Sequence, residues 1–427
     1  MRQQSPCVAA TIRQRYTARS ASSASEGRQL CRRTTAAGDA ATESSQLLAS
    51  ALGCSPRNWR GVKTARSLAC ELVYVGIERD QDYTGLNRHP DVIKAVQDAV
   101  AKYETGSGTS AMSGGMCELH KRAEKMIAKL LGKEAVMLFP TGYSTNLGVI
   151  SALAGTGDLI VFDRESHASI IDGIKLSGAK YVSFRHNAVE DLVKKLNRAI
   201  GKYDNIFVVV ESAYSMSGDL APLNDIANLK EKFPFFLYVD EAHSFSFYGQ
   251  HGAGYCQECG VIERVDFLMS TLSKATAAVG GFVACDRRYL ALLKWSANAY
   301  IFQACFPPAD AAAVISSLNI LQNDPSIASK LHELNRYMRD KLEEFGFDLR
   351  QSQSPVVPVY FTDDEELGRI NVKLYSRHIF TVSVLYPAVK RGEGRLRFIV
   401  TCNHTIDQIN YTVRVLSDLV KKSREKS

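Results

Sequence analysis

Residues 206–244 read IFVVVESAYSMSGDLAPLNDIANLKEKFPFFLYVDEAHS. Two runs rich in β-branched and aromatic side chains, Ile206–Val210 and Phe235–Val239, flank a helical stretch, and the second run stops at Asp240, Glu241, Ala242 and His243. Short apolar runs of this kind suit strands buried on both faces. The alternation extends in both directions: Ala135–Phe139, Leu159–Phe162 and Tyr181–Phe184 come before, and Phe267–Met269 and Gly281–Ala284 after. Strands separated by helical segments predict an α/β fold, a mostly parallel sheet covered by helices.

Helical periodicity also marks Pro90–Tyr103 and Cys117–Leu131. From about Asp324 a helix containing His332–Phe345 opens a second unit, with strands near Val356–Tyr360, Thr381–Leu385 and Arg395–Val400 and a closing helix over Thr405–Lys422. The expected organisation is an N-terminal leader or arm (1–80), a large domain (81–323) and a smaller C-terminal α+β domain (324–427). A chain of 427 residues suits two domains, because single cores stop growing at roughly 250–300 residues.

Hydrophobic residues make up 45% of the chain and charged residues 23%, which excludes a disordered or collagenous protein. The formal charge of +7 is unevenly placed: Met1–Asp80 carries 12 Lys/Arg against 6 Asp/Glu, leaving 40 against 39 in the remaining 347 residues. A nearly neutral body argues against a nucleic-acid partner. The ten cysteines are scattered, several inside apolar runs, as buried free thiols in a reducing compartment are. Cys256 and Cys259 form a CxxC pair with no matching second pair, so no metal is expected. The first 25 residues hold Arg2, Arg13, Arg15 and Arg19, no acidic residue and many Ser, Thr and Ala. That composition fits either a mitochondrial or plastid transit peptide or a tail. No apolar run is long enough for a transmembrane helix.

Ligands of open α/β sheets bind beyond the carboxyl ends of the strands, so the polar residues there are the candidates. Asp240 could pair with a pyridine nitrogen, and His243 could reach a neighbouring phenolic oxygen; taken alone, DEAH also reads as an aspartate capping a turn. In Ser270-Thr271-Leu272-Ser273-Lys274-Ala275 the lysine has apolar and small neighbours that can disfavour its ammonium form, which suits Schiff-base chemistry; read by itself, the stretch equally fits a surface lysine. Thr271 and Ser273 could hold a phosphate. Pro140–Asn146 lies between a strand and a helix, where Gly142 and Tyr143 would present backbone N–H groups to the same anion. His167 follows another strand, where an imidazole could stack on a planar ring; by itself it is equally a solvated loop histidine.

From about Asp82 to Lys421 the collinear segments GSGTSAMSGG, FPTGYSTN, DRESHASI, ESAYSMSGDLAPL, VDEAHS, STLSKA, FPP and RLRFIVT resemble the α-oxoamine synthases, a family of fold-type I pyridoxal-phosphate enzymes. The resemblance implies decarboxylating condensation of a small amino acid with an acyl thioester such as acyl-CoA, pyridoxal 5'-phosphate as cofactor, and a homodimer. It implies that Lys274 carries the cofactor and removes the α-proton, that His167 stacks on the ring, and that Asp240 and His243 serve its nitrogen and phenolic oxygen. Ser215 would support the ring, Gly142, Tyr143, Thr271 and Ser273 would hold the phosphate, and Arg397, aided by Arg395, would grip the substrate carboxylate.

The chain departs from the family at Gln81, where an asparagine is usual, and at Gln303, Ala304 and Cys305, where hydroxyl residues are usual. DEAHS and Leu272-Ser273-Lys274 lean toward serine palmitoyltransferases; SHASIIDGIKL is closer to glycine C-acetyltransferases. An L-serine and long-chain acyl-CoA pair is the expectation. 8-Amino-7-oxononanoate synthase-like, glycine C-acetyltransferase-like and polyketide-linked activities, another fold-type I enzyme such as an aminotransferase, and an inactive partner subunit are the alternatives.

Overall fold

The computed structural model describes residues 81–386 and 388–425. The leader or arm expected over 1–80 lies outside the described residues. The main sheet has seven strands: β1 (Ala135–Phe139), β2 (Leu159–Asp163), β3 (Lys180–Phe184), β4 (Ile206–Glu211), β5 (Phe236–Asp240), β6 (Phe267–Thr271) and β7 (Gly281–Cys285), in the order β1-β7-β6-β5-β4-β2-β3. Strands β2 to β6 are parallel, with Val161 opposite Val208, Val209 opposite Tyr238 and Val239 opposite Leu268. β7 runs antiparallel to β6 and β1. The 272–280 link is too short for a parallel crossover, which needs roughly a dozen residues or more, so the chain must turn straight back.

Alternation along each strand divides the core. Ile206, Val208 and Val210 of β4 join a cluster with α2 (Glu118–Leu131), α5 (Val189–Ala199) and α10 (Pro308–Asn323), which sits on one face. Phe207 and Val209 point the other way, into a cluster with α3 (Gly142–Leu153), α4 (Ala168–Ser177) and α8 (Arg287–Ser296). Both faces of the sheet are thereby buried except at the edge strand β3, which is largely exposed, and the other strands can be apolar throughout.

A smaller sheet follows: β8 (Val356–Phe361), β9 (Val382–Val384) and β10 (Gly394–Ile399), antiparallel in the order β8-β10-β9. It packs with α11 (Ser326–Glu344), α12 (Asp364–Tyr375) and α13 (Ile406–Arg424) around Leu396, Leu331, Leu367 and Leu416. Tyr83, Phe247 and Ala275 belong to this second cluster, so residues beside the main sheet's strand ends are packed from the small sheet's side. No helix among the described residues is long and apolar enough to cross a membrane.

Phe282 is fully buried and packs its ring against Phe245 at 4.9 Å. Phe282→Ala should lower the free energy of unfolding by about 3–5 kcal/mol, since removing a buried aromatic leaves a cavity. Urea titration checks this; a loss below about 1 kcal/mol would mean that the site collapses to fill the space.

Candidate active site

Parallel strands put their carboxyl ends on one edge of the sheet. Asp163, Glu211, Asp240 and Thr271 are the last residues of β2, β4, β5 and β6, and Asp240 lies beside Glu211 in register. Asp240 is buried. Its Oδ2 accepts from Asn146 Nδ2 at 2.7 Å and its Oδ1 from the Ala242 N–H at 2.9 Å. Asn146 Nδ2 also donates to Ser169 Oγ at 2.9 Å, and that hydroxyl lies 2.8 Å from His167 Nδ1. Tyr238 completes the amide's bonding by donating to Asn146 Oδ1 at 2.7 Å. One side-chain network therefore links His167 to Asp240.

Lys274 follows β6, and its Nζ lies 2.7 Å from His243 Nε2. The opposite ring nitrogen, Nδ1, lies 2.7 Å from the Tyr83 hydroxyl. Burial holds the His243 imidazole well below its ordinary pKa, and the charges of Lys274 and Arg397 push the same way. His243 is thus a neutral imidazole near pH 7. His167 remains exposed, yet enough protein surrounds its ring for desolvation to lower its pKa, against an opposing pull from Asp240.

The carboxyl end of β1 leads into the amino end of α3, capped by Thr141, whose Oγ1 accepts from the Ser144 N–H at 3.0 Å. The first-turn N–H groups of Gly142 and Tyr143 have no acceptor within the helix and attract an anion. Thr271 Oγ1 and Ser273 Oγ lie 2.9 Å apart at the same place. A Cβ on Gly142 would come within 2.7 Å of the Thr271 Cβ, so a glycine is needed for the helix end to approach this strand. The Tyr143 side chain points away, is exposed and donates to Asp172; only its backbone belongs to this group.

Arg397, from β10, is buried and donates from Nη1 to the Ser215 carbonyl at 3.2 Å. Arg395 does the same to the Met216 carbonyl at 3.2 Å and also donates to the Tyr360 hydroxyl at 2.9 Å. The expected residues converge on one edge of the main sheet and on the neighbouring small-sheet strand.

This arrangement has counterparts among known proteins. The aminotransferase class I and II family matches residues 80–416. A serine palmitoyltransferase of Sphingobacterium spiritivorum is 36% identical, over 81% of this chain and 86% of that protein. An 8-amino-7-oxononanoate synthase of Alkaliphilus metalliredigens is 35% identical over 78% and 85%. The chain belongs to the α-oxoamine synthase family. Among solved structures, the serine palmitoyltransferase of Sphingomonas wittichii is similar with a TM-score of 0.78 at 33% identity, covering 80% of this chain and 86% of that one. A serine palmitoyltransferase solved with pyridoxal phosphate is similar with a TM-score of 0.77, at the same identity and coverage.

The residues present fit the family's cofactor. A buried carboxylate, an amine within reach, and hydroxyl and N–H donors around a helix end supply a partner for the pyridine nitrogen, the aldehyde and the phosphate. Several neighbours carry no signal of a role in the sequence. Asn146 sits inside FPTGYSTN, but its work depends on Asp240, 94 positions away. Tyr83 reaches His243 across 160 positions. Glu211 accepts the His167 N–H, and burial together with the Asp240 charge raises its carboxyl well above the usual range.

His186 was missed as well. Its Nδ1 lies 2.9 Å from Asp163 Oδ1 and its Nε2 2.6 Å from Asp219 Oδ2, and its ring meets Tyr214 edge-on at 4.4 Å. Burial lowers its pKa, but the two carboxylates outweigh that and raise it to about 10. Burial likewise pushes Asp219 up, and His186 outweighs it and holds the carboxyl low. A pKa raised on folding stabilises fully below the unfolded value near 6.5 and is lost as pH rises through the folded one. The stability gap between wild type and His186→Asn should therefore be largest at pH 6 and shrink toward pH 10. Urea titrations across that range test it, and a constant gap would contradict it.

Proposed function

We propose that this chain condenses a small amino acid with an acyl thioester, releasing carbon dioxide and the free thiol, with L-serine and a long-chain acyl-CoA as the first pair to test. One observation carries the reading: Lys274 Nζ lies 2.7 Å from His243 Nε2, three residues after the buried Asp240, in a chain 36% identical to a serine palmitoyltransferase. Pyridoxal phosphate, when bound, supplies an electron sink for the pair released at the amino-acid α-carbon.

The chain's own residues do the rest. Asp240, fixed by Asn146 and the Ala242 N–H, keeps a proton on the ring nitrogen. Lys274 would hold the cofactor, and its Nζ would accept the α-proton. His243, kept neutral and steered by Tyr83, meets the phenolic oxygen. His167 covers one face of the ring, and Ser215 supports it. Gly142, Tyr143, Thr271 and Ser273 bind the phosphate. The planar fork of Arg397 holds the substrate carboxylate.

The homodimer, the domain division near residue 324 and the transit-peptide reading of the N-terminus belong to the same proposal. The 35% identity to an 8-amino-7-oxononanoate synthase supports a second reading within the class, with the same chemistry and a different pair of amino acid and acyl donor.

The purified holoenzyme should release thiol and carbon dioxide together when given glycine, L-serine or L-alanine with acetyl-CoA or palmitoyl-CoA. Lys274→Ala should abolish the visible absorption of lysine-bound cofactor and reduce turnover by on the order of a thousandfold or more. Amino-group transfer to a 2-oxo acid without thioester consumption would make the protein an aminotransferase instead.

A further inference from the structure

His186 lies outside the set of residues that meet cofactor or substrate, yet it joins two loops that carry them. Asp163 ends β2 and opens the turn to His167: its Oδ1 accepts the Glu165 N–H at 2.8 Å, and its backbone carbonyl accepts the Ser166 N–H at 3.1 Å. Asp219 belongs to the 212–220 loop that follows β4. That loop is a closed turn, with the Gly218 N–H donating to the Tyr214 carbonyl at 2.9 Å and the Tyr214 N–H to the Asp219 carbonyl at 3.0 Å. Gly218 has φ +71°, and a Cβ there would overlap the Val356 carbonyl, so the turn also lies against the small sheet. The tip of this turn presents the Ser215 and Met216 carbonyls, which accept from Arg397 and Arg395.

We propose that His186 is a positioning residue for the amino-acid carboxylate: bridging Asp163 and Asp219, it fixes the loop whose carbonyls orient Arg397. The inference rests on Arg397 being the carboxylate anchor. Two carboxylates this close repel each other, and the imidazolium between them turns that repulsion into a clamp of two charge-assisted hydrogen bonds. Asn187 reinforces it, its N–H donating to Asp163 Oδ2 at 2.9 Å and its amide to Asp219 Oδ2 at 3.1 Å and to the Leu220 carbonyl at 3.1 Å. Without the bridge Asp219 loses its cation, the turn gains freedom, and the Ser215 carbonyl no longer holds the Arg397 fork in one direction. An arginine clamp depends on such orientation, because small misplacements of a binding group cost large factors in affinity. The amine and side chain of the substrate do not use this route and should be unaffected.

The test separates carboxylate-dependent from carboxylate-independent binding on the holoenzyme. L-serine, L-alanine and glycine are titrated against ethanolamine, ethylamine and methylamine, and binding is read from the change in the cofactor's visible spectrum. His186→Asn should weaken the amino acids by about tenfold and leave the amines within about twofold, with the lysine-bound cofactor absorption retained. Asp219→Asn removes the same bridge from the loop side and should give the same selective loss, so it answers the question if His186→Asn does not fold. Equal weakening of acids and amines would mean that the bridge merely supports the fold, and no weakening would mean that the loop does not need it; either overturns the inference. A wild-type enzyme that binds each acid no better than its amine would remove the role of Arg397 itself. A wild type that responds to the acids but consumes no thioester would instead remove the proposed condensation and leave the clamp standing.

Discussion

A buried carboxylate at the end of a central strand sets the terms for the rest of the molecule. Asp240 is taken out of water on β5 next to Glu211, and an unpaired charge in that position would be costly. Asn146 and the Ala242 N–H satisfy it from two directions. Because Asn146 rides on the first turns of α3, the same hydrogen bond fixes how that helix meets the sheet, and its amino terminus is held against Thr271. The places proposed for an anion and for a ring nitrogen are consequently two ends of one rigid arrangement.

Neighbouring carboxyls divide the work by environment. Desolvation and the Asp240 charge raise Glu211 toward its neutral acid, so the pair need not carry two negative charges in one buried place. Glu211 can then serve the His167 backbone while the Asn146 donor is directed at Asp240. His243 follows the same logic with the opposite sign: near Lys274 and Arg397, a buried imidazole gains nothing by charging. The cations that act on His243 are Lys274 and Arg397.

The fold class was legible because each strand of the main sheet is a short apolar run with turn chemistry at its ends, and β2 to β6 differ from the sequence reading by one or two residues. The antiparallel β7 follows from the short 272–280 link, a constraint that periodicity does not express. The candidates at or just after strand ends stand out in the sequence for the same reason: Asp240, His243, Lys274 and Gly142 are marked by where the apolar runs stop. Asn146, Tyr83 and His186 were not, because their meaning is a partner far away in sequence. Nothing local distinguishes an asparagine bonded to a buried aspartate from one that bonds only its own helix.

Arg397 ties the smaller sheet to the proposed site. It stands on β10, opposite Pro358 of β8 and Val382 of β9, and its guanidinium leaves that sheet to bond the Ser215 carbonyl of the main-sheet loop. Arg395, two residues earlier on the same face, repeats the contact at Met216. The small sheet therefore meets the main-sheet loop through two cations and two backbone carbonyls. A carbonyl carries only a partial charge, so it orients a guanidinium without neutralising it. Aimed in this way, a guanidinium presents a planar fork whose geometry suits a carboxylate.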